Sequence, residues 1–469
     1  VDASTVKNGM RPYKTVIFIF SVIALLAVVC VFFPREGVKI GDVTLKFPSL
    51  SDMISDSATD SVAAMPEVSA EDLLAQQLAE TQRKEEESQY LDFFNTSDIR
   101  FHMPDGDLTF FDDLFAAFDA ADSTHVGIVH YGDSQLEGDR MTKTIRQMLQ
   151  DSVGGMGPGL LPLVQTVGSM TEGQSINGAP ATASVFAPEG GGAGGKYGPM
   201  GQVAFLDGTA TMSVWPRPKT ATRSNKFNRV TVLAENQSAP LSVTCHGETK
   251  TIEAGSGLRR VTFSFADSLE RVSLTLTGTA NIYGVVFDGK HGVQMDNVPM
   301  RGCSGTVFTL ISSYLLRDYF KYQNVKLVIL QYGGNSVPYI SGQKSAHTYA
   351  DQIRRQIRHV QELAPDAKVL FIGPSDMSTR IDGEWRTYPK LPLVVDSLRA
   401  AANDMGAAYW DLYKVMGGYN SMAQWCESSP LLAGSDHIHF TPRGAERVGN
   451  LFCKSLKLYY DYYHWRKQK

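Results

Sequence analysis

Three short segments of this chain carry residue types that do chemistry together. The first is Gly132-Asp133-Ser134-Gln135, which directly follows the apolar run His125 to Gly132 and precedes a helical stretch from Met141 to Leu149. A serine just past a strand is displayed at the strand's end, and amides of the next turn face an incoming oxyanion. The same tetrapeptide also reads as helix capping, with Asp133 or Ser134 accepting a backbone N–H. The second segment is Tyr332-Gly333-Gly334-Asn335, again at the end of an apolar run. Its glycines let the backbone turn under a ligand and its asparagine can donate a hydrogen bond, although Gly-Asn is also ordinary turn chemistry. The third is Gly434-Ser435-Asp436-His437-Ile438-His439, shortly before Pro442. Asp436 and His439 are close enough to share a hydrogen bond within a loop, and a carboxylate on one ring nitrogen makes the other a general base. The pair of histidines also suggests a metal, but no second ligand pair accompanies it.

These segments need a scaffold that brings strand ends together. Residues 125–132, 325–334, 367–375 and 407–415 are short, near-continuous apolar runs, and 347–365 and 394–405 are amphipathic. That alternation is the rhythm of a parallel sheet covered by helices on both faces. The middle, residues 175–295, is rich in Gly, Thr, Ser and Val, with alternating stretches such as 229–235, 259–267 and 271–278. It predicts an all-β sandwich inserted into the α/β domain. Gly190 to Lys196 has P-loop spacing, but Tyr197 stands where Ser or Thr would hold Mg²⁺, so it reads as a Gly-rich loop. Trp215 and Tyr283 could stack on sugar rings, but they read first as core aromatics.

Composition excludes several classes. The net charge of −5 removes the positive surface that ordinary nucleic-acid binding needs, and 43% hydrophobic residues exclude wholesale disorder. Thr15 to Phe33 is an uncharged run of 19 residues, close to the about 20 that cross a bilayer. Lys7, Arg11 and Lys14 precede it, which predicts residues 1–14 in the cytoplasm, an uncleaved anchor at 15–34 and everything later outside. Residues 35–100 read as a spacer ending in a helical charge run that is solvated rather than a partner helix. Beyond the membrane, Cys245, Cys303, Cys426 and Cys453 would form two disulfides or none. The aromatic-rich end, Glu446 to Trp465, reads as a packed amphipathic helix with a basic terminus.

Taken in order, the motifs resemble the SGNH (GDSL-type) hydrolase superfamily. Gly-Asp-Ser at 132–134 matches its nucleophile block. Asp296-Asn297-Val298-Pro299-Met300-Arg301-Gly302-Cys303-Ser304-Gly305 is similar to its second block, Gly333-Gly334-Asn335 to its G-x-N block, and Asp436-His437-Ile438-His439 to its D-x-x-H block. The resemblance implies a flavodoxin-like three-layer α/β/α hydrolase domain over 101–174 and 296–469, with the sandwich at 175–295. It implies catalysis by Ser134, Asp436 and His439, with His439 selected over His437 by spacing. It implies an oxyanion hole of Ser134, Gly302 (rather than Gly305) and Asn335, and neither cofactor nor metal. Gln135 and Pro299 depart from the family pattern.

A narrower resemblance is to bacterial peptidoglycan O-acetylesterases, which carry a carbohydrate-binding-module-like sandwich between the first and second blocks. It implies a single-pass protein of the bacterial inner membrane with a periplasmic catalytic domain and an O-acetylated glycan substrate. The same acyl-enzyme handed to a sugar hydroxyl would make it an O-acetyltransferase, beside a membrane-bound O-acyltransferase partner. A lipase or thioesterase, and a non-catalytic glycan-binding envelope protein, are the other readings.

Overall fold

The computed structural model describes residues 12–32, 38–40, 43–45, 70–185, 196–217, 222–236 and 238–468. The chain divides into two units, residues 1–82 and 83–469.

In the first unit, Pro12–Phe32 is a helix and Val38–Ile40 pairs antiparallel with Val43–Leu45. The expected membrane anchor falls on that helix, whose side chains are described over 17–29. Among the described residues no helix is long and apolar enough to cross a membrane. The expected transmembrane helix is thus not supported by the described residues.

The second unit is built on the expected parallel sheet. Its strands lie in the order Gly292–Pro299, His125–Gly132, Val325–Gln331, Lys368–Ile372, Ala408–Trp410, with Phe101–His102 antiparallel at the far edge. Numbered along the chain, the parallel strands run 2-1-3-4-5, the flavodoxin-like order. The apolar runs are continuous because both faces are covered. Val126 and Ile128 point into one core with Ile145, Phe115 and Phe452, and Val129 and Tyr131 into the other with Leu315, Ile353 and Leu398. The helices Asp112–Asp119, Thr142–Val153 and Pro442–Lys467 supply the first core, and Ser313–Tyr322, Gln343–Leu363 and Leu391–Asp404 the second.

Between the first two parallel strands of the chain lies an antiparallel β module, nine strands among the described residues, with its own core. Its central strand, Val272–Asp288, pairs with Gln202–Pro216, Phe227–Asn236, Leu241–Cys245 and Gly159–Leu161. Pairing thus begins at Gly159, earlier in the chain than the change of texture at 175. Asp296, at the return to the parallel sheet, accepts the Leu160 N–H at 2.8 Å and pins module to sheet. Tyr283 is buried in the module and donates to Glu235. Trp215 lies against Gly173, where a Cβ would meet its ring at 2.2 Å. Of the P-loop-like stretch, residues 190–195 lie outside the described residues.

The helical charge run forms the helix Ala70–Thr96. Residues 71–82 are exposed, as a solvated helix would be. The part within the second unit behaves differently: Phe94 is buried, stacked on Tyr459 at 4.3 Å, and Tyr90 meets Tyr462. The aromatic C-terminal helix thus packs against this run, and Glu86 accepts from the Trp465 indole. Cys245, Cys303, Cys426 and Cys453 are all thiols.

Candidate active site

A 2-1-3 strand order opens a crevice at the carboxyl edge, where connections leave the first and third strands in opposite directions. Ser134 follows the first strand and Asn335 the third. The capping reading of Gly132-Asp133-Ser134-Gln135 falls to Asp133 rather than Ser134. Asp133 Oδ1 accepts the Gln135 N–H at 3.0 Å and caps the turn. Ser134 is left to hydrogen-bond His439 Nε2 through its Oγ, at 2.7 Å.

His439 is positioned from its other side. Its Nδ1 lies 2.7 Å from Asp436 Oδ2, while Asp436 Oδ1 accepts the N–H groups of Ile438 and His439, each at 3.0 Å. Partial burial pushes the Asp436 carboxyl up, but these three bonds outweigh it and hold it below its ordinary range. The loop precedes a helix that starts at Pro442 and is capped by Thr441 Oγ1, which accepts the Gly444 N–H. His437 is not at the site of Ser134. Its backbone is left-handed (φ +56°) and its ring stacks on Trp385 at 3.9 Å.

Gly302 and Asn335 line the same cleft as Ser134 and His439, a cavity of about 320 Å³. Gly302 has φ +75°, a conformation that favours glycine. No acceptor among the described residues takes its N–H, whereas the Gly305 N–H is engaged by Cys303 Sγ at 3.2 Å. Of these two glycines, Gly302, which lines the cleft, is the one whose N–H is left open among the described residues. Asn335 donates its side-chain N–H groups to the Cys303 carbonyl at 3.0 Å and to Asp133 Oδ2 at 3.2 Å. Gly333 sets up that turn at φ +129°; a Cβ there would meet Leu398 and Pro374 at 2.9 Å.

Two contributors were not assigned from the sequence. Gln135 is buried and spans to the histidine loop: its Nε2 donates to the Ile438 carbonyl at 2.7 Å and its Oε1 accepts the Phe440 N–H at 3.3 Å. Asp133 is buried beside Ser134, and burial pushes its carboxyl up to about 6, with the Gln135 N–H and His439 countering only part of that. A polar side chain next to the nucleophile was the available signal for both, but their partners lie hundreds of residues away. Pro299, the other departure from the family pattern, lines a neighbouring cavity rather than this cleft.

A sheet of this order, with serine, histidine and asparagine gathered at its carboxyl edge, places the chain among hydrolytic enzymes of flavodoxin-like α/β/α architecture. Residues 270–447 match the GDSL-like lipase/acylhydrolase family, which supports the SGNH hydrolase reading of the chain. The matched stretch holds Gly302, Asn335, Asp436 and His439; Ser134 lies upstream because the β module separates it from them. A solved structure of a peptidoglycan O-acetylesterase is similar at 19% identity with a TM-score of 0.62, covering 75% of this chain and 96% of its own. A Bacillus subtilis protein aligns at 16% identity and TM-score 0.30, covering 61% and 90%. An acetyl xylan esterase aligns at 18% identity and TM-score 0.27, covering 35% and 81%. No curated protein matches the chain by sequence.

Proposed function

We propose that this chain is a membrane-anchored, extracytoplasmic serine esterase that removes O-acetyl groups from cell-envelope polysaccharide, with peptidoglycan as substrate. The observation that carries the esterase reading is the continuous hydrogen-bonded path from Ser134 Oγ through His439 to Asp436 in an open cleft. Ser134 attacks the acetyl carbonyl and His439 Nε2 takes its proton, while Asp436 stabilises the resulting imidazolium. The oxyanion is met by the N–H groups of Ser134 and Gly302. Asn335 joins them by turning the N–H of its longer bond, to Asp133, toward the new charge. Each such donor is worth about 2.7–4 kcal/mol of barrier. His439 then protonates the leaving sugar oxygen as its bond to the acetyl carbon breaks, and water resolves the acetyl-enzyme by the reverse path.

The glycan reading is supported by a fold shared with a peptidoglycan O-acetylesterase over nearly that protein's whole length. It also has a local support: Tyr339 lines the cleft with 83% of its surface exposed, and an exposed ring beside a catalytic serine suits the apolar face of a sugar. The anchor reading is supported by the exposed side chains of Ile17, Phe18, Phe20 and Leu25 on the first helix and by the basic residues preceding it. With residues 1–14 read as cytoplasmic, an anchor in the bacterial inner membrane would carry the catalytic unit on its periplasmic side.

Incubating the full chain with O-acetylated peptidoglycan and following acetate tests this. Ser134-dependent release of free acetate is expected. Acetyl appearing on an added glycan acceptor instead would make the chain a transferase and call for a membrane-bound acyl donor. No acetyl movement from any envelope glycan would end the glycan reading.

A further inference from the structure

A second and larger cavity, about 440 Å³, lies between the β module and the α/β domain. Its volume falls in the range of small-molecule sites, roughly 300–1,000 Å³. It is built by the same two segments that build the catalytic cleft. After the nucleophile, Ser134 and Gln135 face the cleft, the chain kinks at Glu137 and Gly138, and Glu137 to Asp139 face the second cavity. In the other segment Pro299 faces the second cavity, Gly302 the cleft, and Arg301 lines both.

Arg301 is thus the shared wall. Its side chain is 74% exposed and reaches Glu137 Oε1 only at 3.5 Å, so its N–H groups are available to a ligand oxygen. The far side comes from the β module, where Leu161, Thr182 and Met200 give a largely apolar surface. The near wall is held rigid by Asp139, paired with buried Arg146 at 2.6 Å. An apolar floor with a few convergent polar groups is what a sugar ring requires, because each ring has an apolar face and a rim of hydroxyls.

We infer that this cavity is a glycan subsite: it holds the sugar next to the acetylated one, so that the chain reads its substrate as a polymer across the junction of module and catalytic domain. The inference rests on the glycan reading above. A monomeric acetyl ester occupies only the cleft, whereas a chain passing Arg301 gains the second cavity as well. The β module then contributes a substrate wall through Leu161, Thr182 and Met200.

The test uses the full chain with Val167 or Thr182, two exposed residues lining the second cavity from separate segments, replaced to fill it. Val167→Trp and Thr182→Trp are compared with wild type on p-nitrophenyl acetate and on O-acetylated peptidoglycan fragments of increasing length. We expect wild-type kcat/KM to rise with glycan length. We expect each variant to lose about tenfold on the longer fragments relative to p-nitrophenyl acetate, the scale of one pocket contact. In a Ser134→Ala background, calorimetric affinity for the longer fragments should fall equally. Equal ratios on both substrates and unchanged affinity would overturn the subsite. Wild type that cleaves p-nitrophenyl acetate but no acetylated glycan would overturn the glycan reading itself.

Discussion

At the scale of single residues, Gln135 shows how much of the site lies outside the reacting groups. It touches no reacting atom, yet it joins the turn that carries Ser134 to the backbone on both sides of His439. Gln135→Ala removes that bridge and leaves the Ile438 carbonyl and Phe440 N–H unpaired. Because a misplacement of an ångström can cost about a hundredfold, kcat should fall by about ten- to a hundredfold with KM nearly unchanged, as steady-state kinetics on p-nitrophenyl acetate would show. An unchanged kcat would remove Gln135 from the positioning of the loop. Asp133 gives a pH signature. Its carboxyl titrates near 6 when folded and near 3.8 when unfolded, so the folded state holds its proton longer. Stability from this group is therefore greatest below about 3.8 and declines as pH rises to about 6, by about 3 kcal/mol. Denaturation curves between these pH values should show that decline, and Asp133→Asn should flatten it. Asp436 has the opposite sign: held below its ordinary range, it adds stability at neutral pH that is lost as pH falls through its folded value. The residue types at 134, 436 and 439 were legible in the sequence because their chemistry and spacing are local or repeat a family pattern. Gln135 and Asp133 were not, because their roles exist only once segments some 200 to 300 residues apart have met.

At the scale of elements, the hairpin Ser378–Ile381 with Glu384–Thr387 buttresses the histidine loop. The Ser378 N–H donates to the His437 carbonyl at 3.0 Å, Trp385 stacks on the His437 ring, and the Arg380 guanidinium lies 4.8 Å from the Trp385 ring centre. His437, which the sequence offered as a rival base, thus serves as the grip by which the hairpin holds a left-handed turn next to Asp436. Trp385→Ala removes a ring pair worth about 1 kcal/mol, so kcat should drop several-fold while Trp385→Phe restores most of it. Equal activities for all three would leave the hairpin without a part in positioning. The parallel strands were legible because burial on both faces forces continuous apolar runs. The start of the β module was not, because Gly159–Leu161 is too short to show an alternating pattern and is defined by its partner, Val285 to Phe287.

At the scale of the whole molecule, the second unit is an α/β domain interrupted by a β module and locked at its C-terminal helix by residues that the sequence assigns to a spacer. Charge dominates that run, with Glu85, Glu86 and Glu87 in succession, and this obscures the three aromatic residues that follow. Tyr90, Phe93 and Phe94 pack on Tyr459, Tyr462 and Trp465. Phe94→Ala should destabilise the catalytic unit by about 3 kcal/mol, read from the denaturant midpoint. Activity well below the transition should survive, since Phe94 is in a core distinct from the catalytic cleft. A negligible shift would return this segment to the role of a tether.

On the proposed mechanism, Ser134 carries the acetyl group between substrate and water. The measurement that meets it most directly is peptide mass mapping of the full chain quenched during turnover of an acetyl ester. We predict one added acetyl group, on Ser134, that disappears as substrate is exhausted and is absent from Ser134→Ala. Acetyl found on another residue during turnover, or acetate release at the wild-type rate from Ser134→Ala, would contradict it.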